Sequence, residues 1–404
     1  MSDQSTKREH GFSLLEMTIA MGLGTLVLGA AVQLYTQGVG ATWTASQRAE
    51  MQQDFRAVSD MMTKDLSMAG AGLGNGASIA LPSTSSPVYG CAAPSGTNVC
   101  YINGGSVAYP TQGTVPFMYG LVPGYQKGPA IGAYSGASDV VTVVYTDYAF
   151  YLDCYAINVT SATTVTFTLT AASQLLSNCT NNGNTIQAVG YGAVGLTPGD
   201  LVLFNFGSTP IVAEVTAATS SGTAGATGSG GTVTFASSDP LNMNGASSST
   251  TCNCLAYYVN NTTGYATRIL AISYYIDNSV SPPRLVRQVS GHTPTPLVDN
   301  VVFLRYTYDL FNDGTMTAAG QCNNPGLASD TCVYGSDTSP TVLYPTQITK
   351  INIAHMSMSS MFSGSTVLSG TQGGYQGLDL ETSVSARNLT YANDYQCTSS
   401  CSTN

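Results

Sequence analysis

The N-terminal part of the chain is a long run of apolar and small residues with one charge inside it. Residues 12–34 contain a single charged side chain, Glu16. A helix over this run spans roughly 35 Å, which is enough to cross a bilayer. Lys7 and Arg8 precede the run, and basic residues on that side place the preceding end in the cytoplasm. The pattern predicts a membrane-spanning helix.

The apolar pattern then changes to that of an amphipathic helix. Apolar residues recur at spacings of four, three, four and four, at Met51, Phe55, Val58, Met62 and Leu66. This period is that of one helix face, so we expect the stripe to pack on the following domain. The glycine-rich segment 70–74 ends the helix and is interpreted as a hinge, because it follows a helix and lacks G-x-G-x-x-G spacing.

From about residue 75 the pattern is that of short β-strands separated by Gly, Ser, Asn and Pro. We expect antiparallel sheets, because no helical crossovers separate the strands. The predicted fold is therefore α+β, with one long N-terminal helix on a β-rich domain. The predicted strands are 140–145, 163–170, 200–206, 211–216, 268–276, 285–289, 301–308, 348–358 and 380–386.

Two parts of the β-rich region interrupt this pattern. Residues 75–135 are rich in Gly and Pro and are predicted to form a long irregular insertion. A second insertion is predicted near 205–255. Within it, residues 217–231 are nearly all Ala, Ser, Thr and Gly, which predicts a mobile loop tip.

Composition narrows the class of protein. The chain has 404 residues and 43% apolar content, enough for a packed core, but only 8% charged residues. This profile is typical of a protein exposed outside the cytosol. The net charge of −10 and the absence of a Lys/Arg stripe argue against direct binding of nucleic acid.

The ten cysteines are even in number and mostly form pairs that are close in sequence, which indicates disulfides in an oxidising compartment. Cys252 and Cys254 are separated by a single residue. This spacing strains a direct bridge, and the sequence leaves their disulfide partners open. The four predicted pairs are Cys91 with Cys100, Cys154 with Cys179, Cys322 with Cys332, and Cys397 with Cys401.

Other chemistry has weak support. A zinc site would need CxxC knuckles, which are missing, and the chain has three histidines, His10, His292 and His355. Asp309, Asn312 and Asp313 form an acidic turn that is a weak calcium candidate, although an ordinary β-turn explains the same residues. No G-x-S-x-G motif is present. We expect no enzyme activity, no cofactor and no metal.

The residues around the start of the apolar run are the most informative. The sequence Lys7-Arg8-Glu9-His10-Gly11-Phe12-Ser13-Leu14-Leu15-Glu16 resembles the class III prepilin signal, in which a membrane peptidase cuts after the glycine. An ordinary secretory signal is cut after its apolar stretch. The resemblance implies that the apolar helix stays with the mature protein. A plain membrane anchor with a chance acidic residue is the alternative.

The resemblance also implies roles for individual residues. In this family the new N-terminal residue, here Phe12, becomes N-methylated, and the glutamate at the position of Glu16 is needed for assembly. A lone carboxylate in hydrocarbon costs roughly 2.5–3.5 kcal/mol, so a partner is expected. The N-terminal amine of a neighbouring subunit would supply it. The predicted domains are a leader at 1–11, a transmembrane half-helix at 12–36, an amphipathic half-helix at 37–69, and an outer domain at 75–404.

A second resemblance extends over more of the chain. Together with the leader it covers about a third of the sequence, and the long Thr/Ser/Gly-rich insertions depart from the family pattern. The blocks 199–203, 268–276, 284–287, 296–301, 303–309 and 387–388 resemble, in order, those of PilW-type minor pilins.

The family implies a structural subunit of a type IV pilus that helps to initiate the fibre and supports motility, adhesion or DNA uptake, with the fibre tip and a dispersed position both open as its location. The implied partners are other pilins and minor pilins, prepilin peptidase and the pilus assembly machinery. The protein would lie in the inner membrane, with its outer domain in the periplasm, before it enters the extracellular fibre. A minor pseudopilin of a type II secretion system and a tip-displayed adhesin are the alternatives.

The Gly-Phe junction yields a first prediction. Replacing Gly11 by Ala or a bulkier residue should block processing, because the peptidase is expected to cut after a glycine. Mass spectrometry of the N-terminal peptide should then find the leader still attached. Normal maturation of this variant would contradict the peptidase interpretation.

Overall fold

The structure, a computed structural model, describes most of the chain between residues 13 and 389. By its contacts the chain divides into two compact units, Met1–Asp54 and Phe55–Asn404. The described ranges are 13–73, 78–89, 107–112, 114–131, 136–147, 149–171, 189–190, 195–207, 210–223, 225–245, 248–249, 252–310, 331–332, 348–360, 376–386 and 388–389.

One long helix is followed by strands and two short 3-10 helices. Helix α1 covers Leu14–Ser67, and the 3-10 helices cover Leu152–Cys154 and Leu255–Tyr258. The strands are β1 Ser78–Ala80, β2 Val88–Tyr89, β3 Val107–Ala108, β4 Thr111–Gln112, β5 Val115–Tyr119, β6 Leu121–Gly124, β7 Val140–Thr146, β8 Tyr155–Ser161, β9 Thr164–Leu169, β10 Leu201–Asn205, β11 Pro210–Glu214, β12 Ala217–Ser221, β13 Gly230–Thr234, β14 Tyr265–Asp277, β15 Arg284–Val289, β16 Thr295–Asp299, β17 Val301–Leu310, β18 Thr331–Cys332, β19 Ile348–Ser360 and β20 Gln376–Ser385.

These strands form five sheets, and the pairings between described strands are antiparallel. The α+β class and the antiparallel prediction are therefore confirmed. The largest sheet has seven strands, in the order β11-β10-β14-β15-β16, with β7 pairing β14 and β6 pairing β7. The others are β12-β13-β9-β8, β18-β17-β19-β20, β1-β5-β4 and β2-β3.

Strand β10 shows why the large sheet is buried on both faces. Its side chains alternate between two apolar clusters: Leu201 and Leu203 lie in one, Val202 and Phe204 in the other. Successive side chains of a strand point to opposite faces, so a strand covered on both sides has an unbroken apolar sequence. The run LVLF satisfies this condition.

The end of α1 packs within the second unit through its apolar stripe. Phe55, Val58, Met62 and Leu66 are each at most 5% exposed, and burial of such a side chain contributes roughly 1.5–3 kcal/mol. Beyond the helix, the amide of Gly70 donates to the carbonyl of Val144 in β7 at 2.9 Å. The predicted packing of the stripe is confirmed for these four residues.

A buried acid on the same helix face fixes this contact. Asp65 Oδ2 accepts hydrogen bonds from the Tyr274 hydroxyl at 2.6 Å and from Arg287 Nε at 2.7 Å. Burial, and then the charge of Asp65, raise the pKa of Tyr274 above its ordinary value and that of Tyr145 to about 12. These residues, which we call the Asp65 joint, connect α1 to strands β7, β14 and β15.

A second buried carboxylate connects the C-terminal sheet to the large one. Asp139, just before β7, accepts hydrogen bonds from the amides of Gln126 and Tyr306. Its own amide donates to the carbonyl of Leu304 at 2.8 Å. The guanidinium of Arg305 lies 3.5 Å from Asp139 and stacks on the Tyr125 ring. Strand β17 is thereby held at the N-terminal end of β7.

The nine predicted strands are present, with ends that differ by a few residues, but the loop predicted over 217–231 is confined to the residues between β12 and β13, and its two ends are strands. This stretch contains β12 and the start of β13, and β13 pairs with β12 on one side and β9 on the other. A Cβ at Gly231 would lie 2.1 Å from the Thr219 carbonyl oxygen. The glycines therefore allow close strand approach, and bonding on both sides of β13 stabilises a sequence of low strand propensity.

The first insertion is also more regular than expected. Strands β1 to β6 lie within 75–135, so the expectation of an irregular segment was wrong for this part. Strand β5 pairs with both β1 and β4, and β6 pairs with β7. Such short strands form because partner strands bond to them. A local sequence pattern does not show which distant segment becomes that partner.

A pair of acidic side chains is buried beside strand β11. Glu214 is 0% exposed and Asp239 is 3% exposed. The Leu241 amide donates to Glu214 Oε2 at 2.9 Å, and the amides of Met243 and Asn244 donate to Asp239. Burial, and then the charge of Asp239, raise the pKa of Glu214 to about 9. Glu214 therefore keeps its proton at neutral pH.

Replacing Asp65 by Asn should lower the free energy of unfolding by about 3 kcal/mol, because Arg287 and Tyr274 lose their charged acceptor. Urea unfolding of the full-length chain in detergent measures the change. The control is Asp60→Asn, at an exposed position of the same helix, which should change stability by less than about 0.5 kcal/mol. Equal effects of the two substitutions would show that the Asp65 joint does not hold the helix.

The pKa of Glu214 predicts a pH dependence of stability. Between its ordinary pKa of 4.5 and its folded pKa of about 9, the unfolded chain loses this proton while the folded chain keeps it. The free energy of unfolding should therefore fall as the pH rises through this interval, by up to about 1.4 kcal/mol per pH unit. Urea midpoints measured from pH 5 to pH 8 test this.

In this test the Glu214→Gln variant should show a flatter pH profile than the unmodified chain, because glutamine does not titrate. Glu50→Gln, at an exposed position, should leave the slope unchanged. An identical slope in the Glu214→Gln variant would rule out this carboxyl as its source.

Candidate functional site

The start of α1 is organised by the residues that carry the candidate assembly function. The Leu15 amide donates to Ser13 Oγ at 3.3 Å, and the Ser13 amide donates to Glu16 Oε2 at 3.2 Å. The first amides of a helix have no partners within the helix, and the S-x-x-E pattern satisfies them reciprocally. Glu16 thus caps the beginning of its own helix.

The helix that follows is apolar on its exposed surface. Leu14, Leu26 and Leu34 are 82%, 70% and 71% exposed. An 18-residue window of α1 has a mean hydropathy of 1.7 and none of it is buried. A soluble surface helix would have a polar face, so this segment requires an apolar environment. By length and composition, α1 is able to cross a membrane.

The glycines of this segment have no packing role within the chain as described. A Cβ at Gly22, Gly24 or Gly29 would have no heavy atom within 4 Å. Glycine costs roughly 1 kcal/mol in a helix relative to alanine, so nothing inside the described chain offsets that cost. Small residues allow close approach between membrane helices. These glycines would therefore matter for packing only against a neighbouring helix.

The Glu16 carboxylate lies where it is able to pair with a positively charged group. Its side chain is exposed and lies in the first turn of α1, where the helix dipole favours a negative charge. The Ser13 amide, which donates to Glu16 Oε2 at 3.2 Å, is an uncharged donor at a moderate distance. A cationic donor forms a shorter and roughly twice stronger bond with a carboxylate. The geometry therefore suits exchange of the cap for an ammonium group.

Most of the remaining predicted site residues lie outside the residues that the structure describes. Gly11 and Phe12 lie outside the described residues, as do Cys91, Cys100, Cys179, Cys322, Cys397, Cys401, Asn312 and Asp313. Cys332 lies in β18, and Asp309 lies in β17. The predicted pairings and the calcium turn stay predictions.

The structure adds information for three cysteines. Cys154 is disulfide-bonded; its predicted partner, Cys179, lies outside the described residues. Cys252 and Cys254, whose partners the sequence left open, are bonded to each other with a Cα–Cα distance of 5.3 Å. Both are buried, and this bridge directly precedes the second 3-10 helix.

Of the three histidines, the structure describes the side chain of His292, which pairs with a carboxylate. His292 Nε2 lies 2.8 Å from Asp200 Oδ1, in the turn region after β15, and His355 lies in β19. Asp200 also accepts a hydrogen bond from the Thr197 amide. Across the ranges that the structure describes, no group of three or more His, Cys, Asp or Glu side chains is placed to hold a metal.

Sequence reasoning missed a single buried acid and a buried pair of acids, although the single acid left a signal. Asp65 lies three residues after Met62, on the apolar face of α1, and a charged residue on such a face requires a partner. The pair Glu214 and Asp239 left no signal, because the two residues are far apart in sequence and meet only through the path of the chain after β13.

Comparison with known proteins addresses the N-terminus. Residues 6–32 match the family model of the prokaryotic N-terminal methylation motif. No curated protein and no solved structure is significantly similar to the chain. The matched residues include the Gly11-Phe12 junction, Glu16 and the first half of the exposed apolar helix. The chain therefore carries a type IV pilin-like prepilin signal, which implies interaction with prepilin peptidase and with pilus or secretion machinery and supports a type IV pilin-like or pseudopilin-like protein.

Proposed function

We propose that this protein is a minor pilin: a structural and assembly subunit of a type IV pilus that helps to initiate the fibre. The supporting observation is the methylation motif at 6–32 running directly into an exposed apolar helix. In this proposal prepilin peptidase cuts between Gly11 and Phe12 and Phe12 is methylated. The helix then anchors the subunit in the inner membrane, with its outer domain in the periplasm, until the subunit enters the extracellular fibre.

Glu16 has the central role in this assembly step. Before assembly its carboxylate caps its own helix through the Ser13 amide. In the fibre the methylated amine of a neighbouring subunit replaces that amide as donor. The exchange is favourable because an ion pair in hydrocarbon removes two isolated charges from an apolar medium.

The position of the PilW-like blocks supports the minor pilin assignment. Blocks 199–203, 268–276, 284–287 and 296–301 coincide with β10, β14, β15 and β16, four neighbouring strands of the large sheet. The block at 303–309 lies in β17. Strands β8, β9, β12 and β13, which form a separate sheet, lie outside these blocks, and β12 and β13 fall within the predicted insertion near 205–255.

The proposal includes no catalytic activity and no cofactor. The protein acts through the fibre it helps to build, in motility, attachment or DNA uptake, and its partners are other pilins and minor pilins and the assembly machinery. A position at the fibre tip follows from the initiating role. The second candidate is a minor pseudopilin of a type II secretion system, which the same methylation motif favours equally.

Replacement of Glu16 by Val tests the proposal. The variant should insert in the membrane and be processed, so its N-terminal peptide should begin at methylated Phe12. Its amount in sheared fibres should fall roughly tenfold or more, because the pairing partner of the amine is lost. Mass spectrometry of membrane and fibre fractions measures both, with Glu50→Ala on the same helix as the control.

The outcomes separate the candidates. Methylated Phe12 in fibres, depleted only by Glu16→Val, supports the pilin. The same peptide confined to membranes, with the unmodified chain, would favour the pseudopilin. Equal incorporation of the Glu16→Val variant would remove Glu16 from the assembly step.

A further inference from the structure

An aromatic surface on the second unit, around residues 257–265, is not used by the proposed assembly function. Residues 257–263, in the second 3-10 helix and the turn after it, line an open depression of about 530 Å³. Tyr257 is 45% exposed and Val259 is 37% exposed. Tyr265, at the start of β14, is 50% exposed. Tyrosine is enriched at binding surfaces, because it combines an apolar ring with a polar hydroxyl.

The rings of this surface are held rigidly from below. The Tyr258 ring stacks on Phe206 with centroids 4.4 Å apart, and Phe206 stacks on Phe204 at 5.9 Å. Phe204 is fully buried and meets the edge of Phe235 at 5.4 Å. Tyr257 in turn contacts Tyr258 edge to face at 4.9 Å. A continuous row of rings therefore connects the exposed Tyr257 to the apolar core.

Backbone hydrogen bonds fix the polar part of the surface. The Asn260 amide donates to the Val159 carbonyl at 2.8 Å, and the Val159 amide donates to the Asn261 carbonyl at 3.1 Å. Asn260 has a left-handed backbone with φ of 68° and an exposed side chain. The Thr263 amide donates to Asn261 Oδ1 at 2.8 Å. The turn is thus preorganised, which lowers the entropy lost on binding.

The described segments that carry this surface and the rings beneath it contain no carboxylate, no basic side chain and no histidine. Asp, Glu, Lys, Arg and His are missing from residues 154–171, from 201–207 and from 252–267. A nucleic acid, an anionic lipid or an acidic polysaccharide needs Lys and Arg for recognition. A surface of aromatic faces, amides and hydroxyls without charge fits a ligand that is itself uncharged and amphipathic.

From this combination we infer that residues 257–265 bind a neutral oligosaccharide. A pyranose ring has an apolar C–H face that stacks on an exposed tyrosine, and hydroxyl groups around its edge that bond to amides and hydroxyls. Tyr257 supplies the stacking face, Val259 extends it, and Asn260 and Thr262 supply the polar contacts. A few polar groups beside an aromatic wall are the usual composition of a small-molecule site.

This binding is independent of the proposed pilus role, since it uses the second unit alone. Failure of the Glu16 experiment therefore leaves it intact, and its own failure leaves the pilin proposal intact. If both hold, the subunit combines assembly through its N-terminal helix with sugar binding through its outer domain.

An array of neutral and anionic glycans, probed with the full-length chain in a detergent without a sugar headgroup, tests the inference. Neutral glycans should bind and anionic ones should not. The affinity for the strongest neutral glycan, measured by calorimetry, should fall roughly tenfold or more in the Tyr257→Ala variant. Tyr257→Phe should retain binding, because the ring face remains.

The matched control is Tyr151→Ala, since Tyr151 is 48% exposed and does not line the depression. It should bind as the unmodified chain does. Thermal unfolding of each variant verifies that the fold is intact. Absence of neutral glycan binding, binding restricted to anionic glycans, or affinity unaffected by Tyr257→Ala would overturn the inference. So would concentration-dependent dimerisation that Tyr257→Ala abolishes, since the surface would then be covered by a second copy.

Discussion

The burial of the Asp65 carboxylate is the interaction on which the second unit depends. One oxygen accepts from Tyr274 and from Arg287, so α1, β14 and β15 meet at a single charged group. A buried charge without such partners would be strongly unfavourable. The register of the helix on the sheet is therefore restricted to the position where these three side chains meet, and the apolar stripe of α1 is buried as a consequence.

Strand β14 distributes this constraint through the domain. It pairs with β10 at its beginning, with β7 in its middle and with β15 at its end, and Tyr274 lies in its second half. The helix contacts this strand through Tyr274. Strand β10, which separates the two apolar clusters, and strand β7, beside which Asp139 holds β17, both pair with it. The same strand begins at Tyr265, beside the aromatic surface, so the proposed sugar site and the helix contact lie on one continuous element.

The two units differ in which residues they expose: the first exposes apolar side chains, and the second buries them. The exposed apolar surface of α1 has no partner within the described chain, and it is stable only in lipid or against other helices. The second unit has little charge and relies on buried strands and on a few paired acids. Glu214, whose pKa is raised by burial, shows that the interior of this unit holds an acid group that accepts a hydrogen bond from the Leu241 amide.

Local patterns in the amino-acid sequence were enough to predict the prepilin signal, the apolar run with Glu16, the stripe from Phe55 to Leu66 and the principal strands. Each depends on a period or a motif that lies within a few residues. The tertiary structure alone decided the strands at 217–221 and 230–234, the Cys252–Cys254 bridge, the pairing of Glu214 with Asp239, and the row of rings from Phe235 to Tyr257. These depend on partners distant in the chain, and a linear pattern contains no information about which distant residues become neighbours.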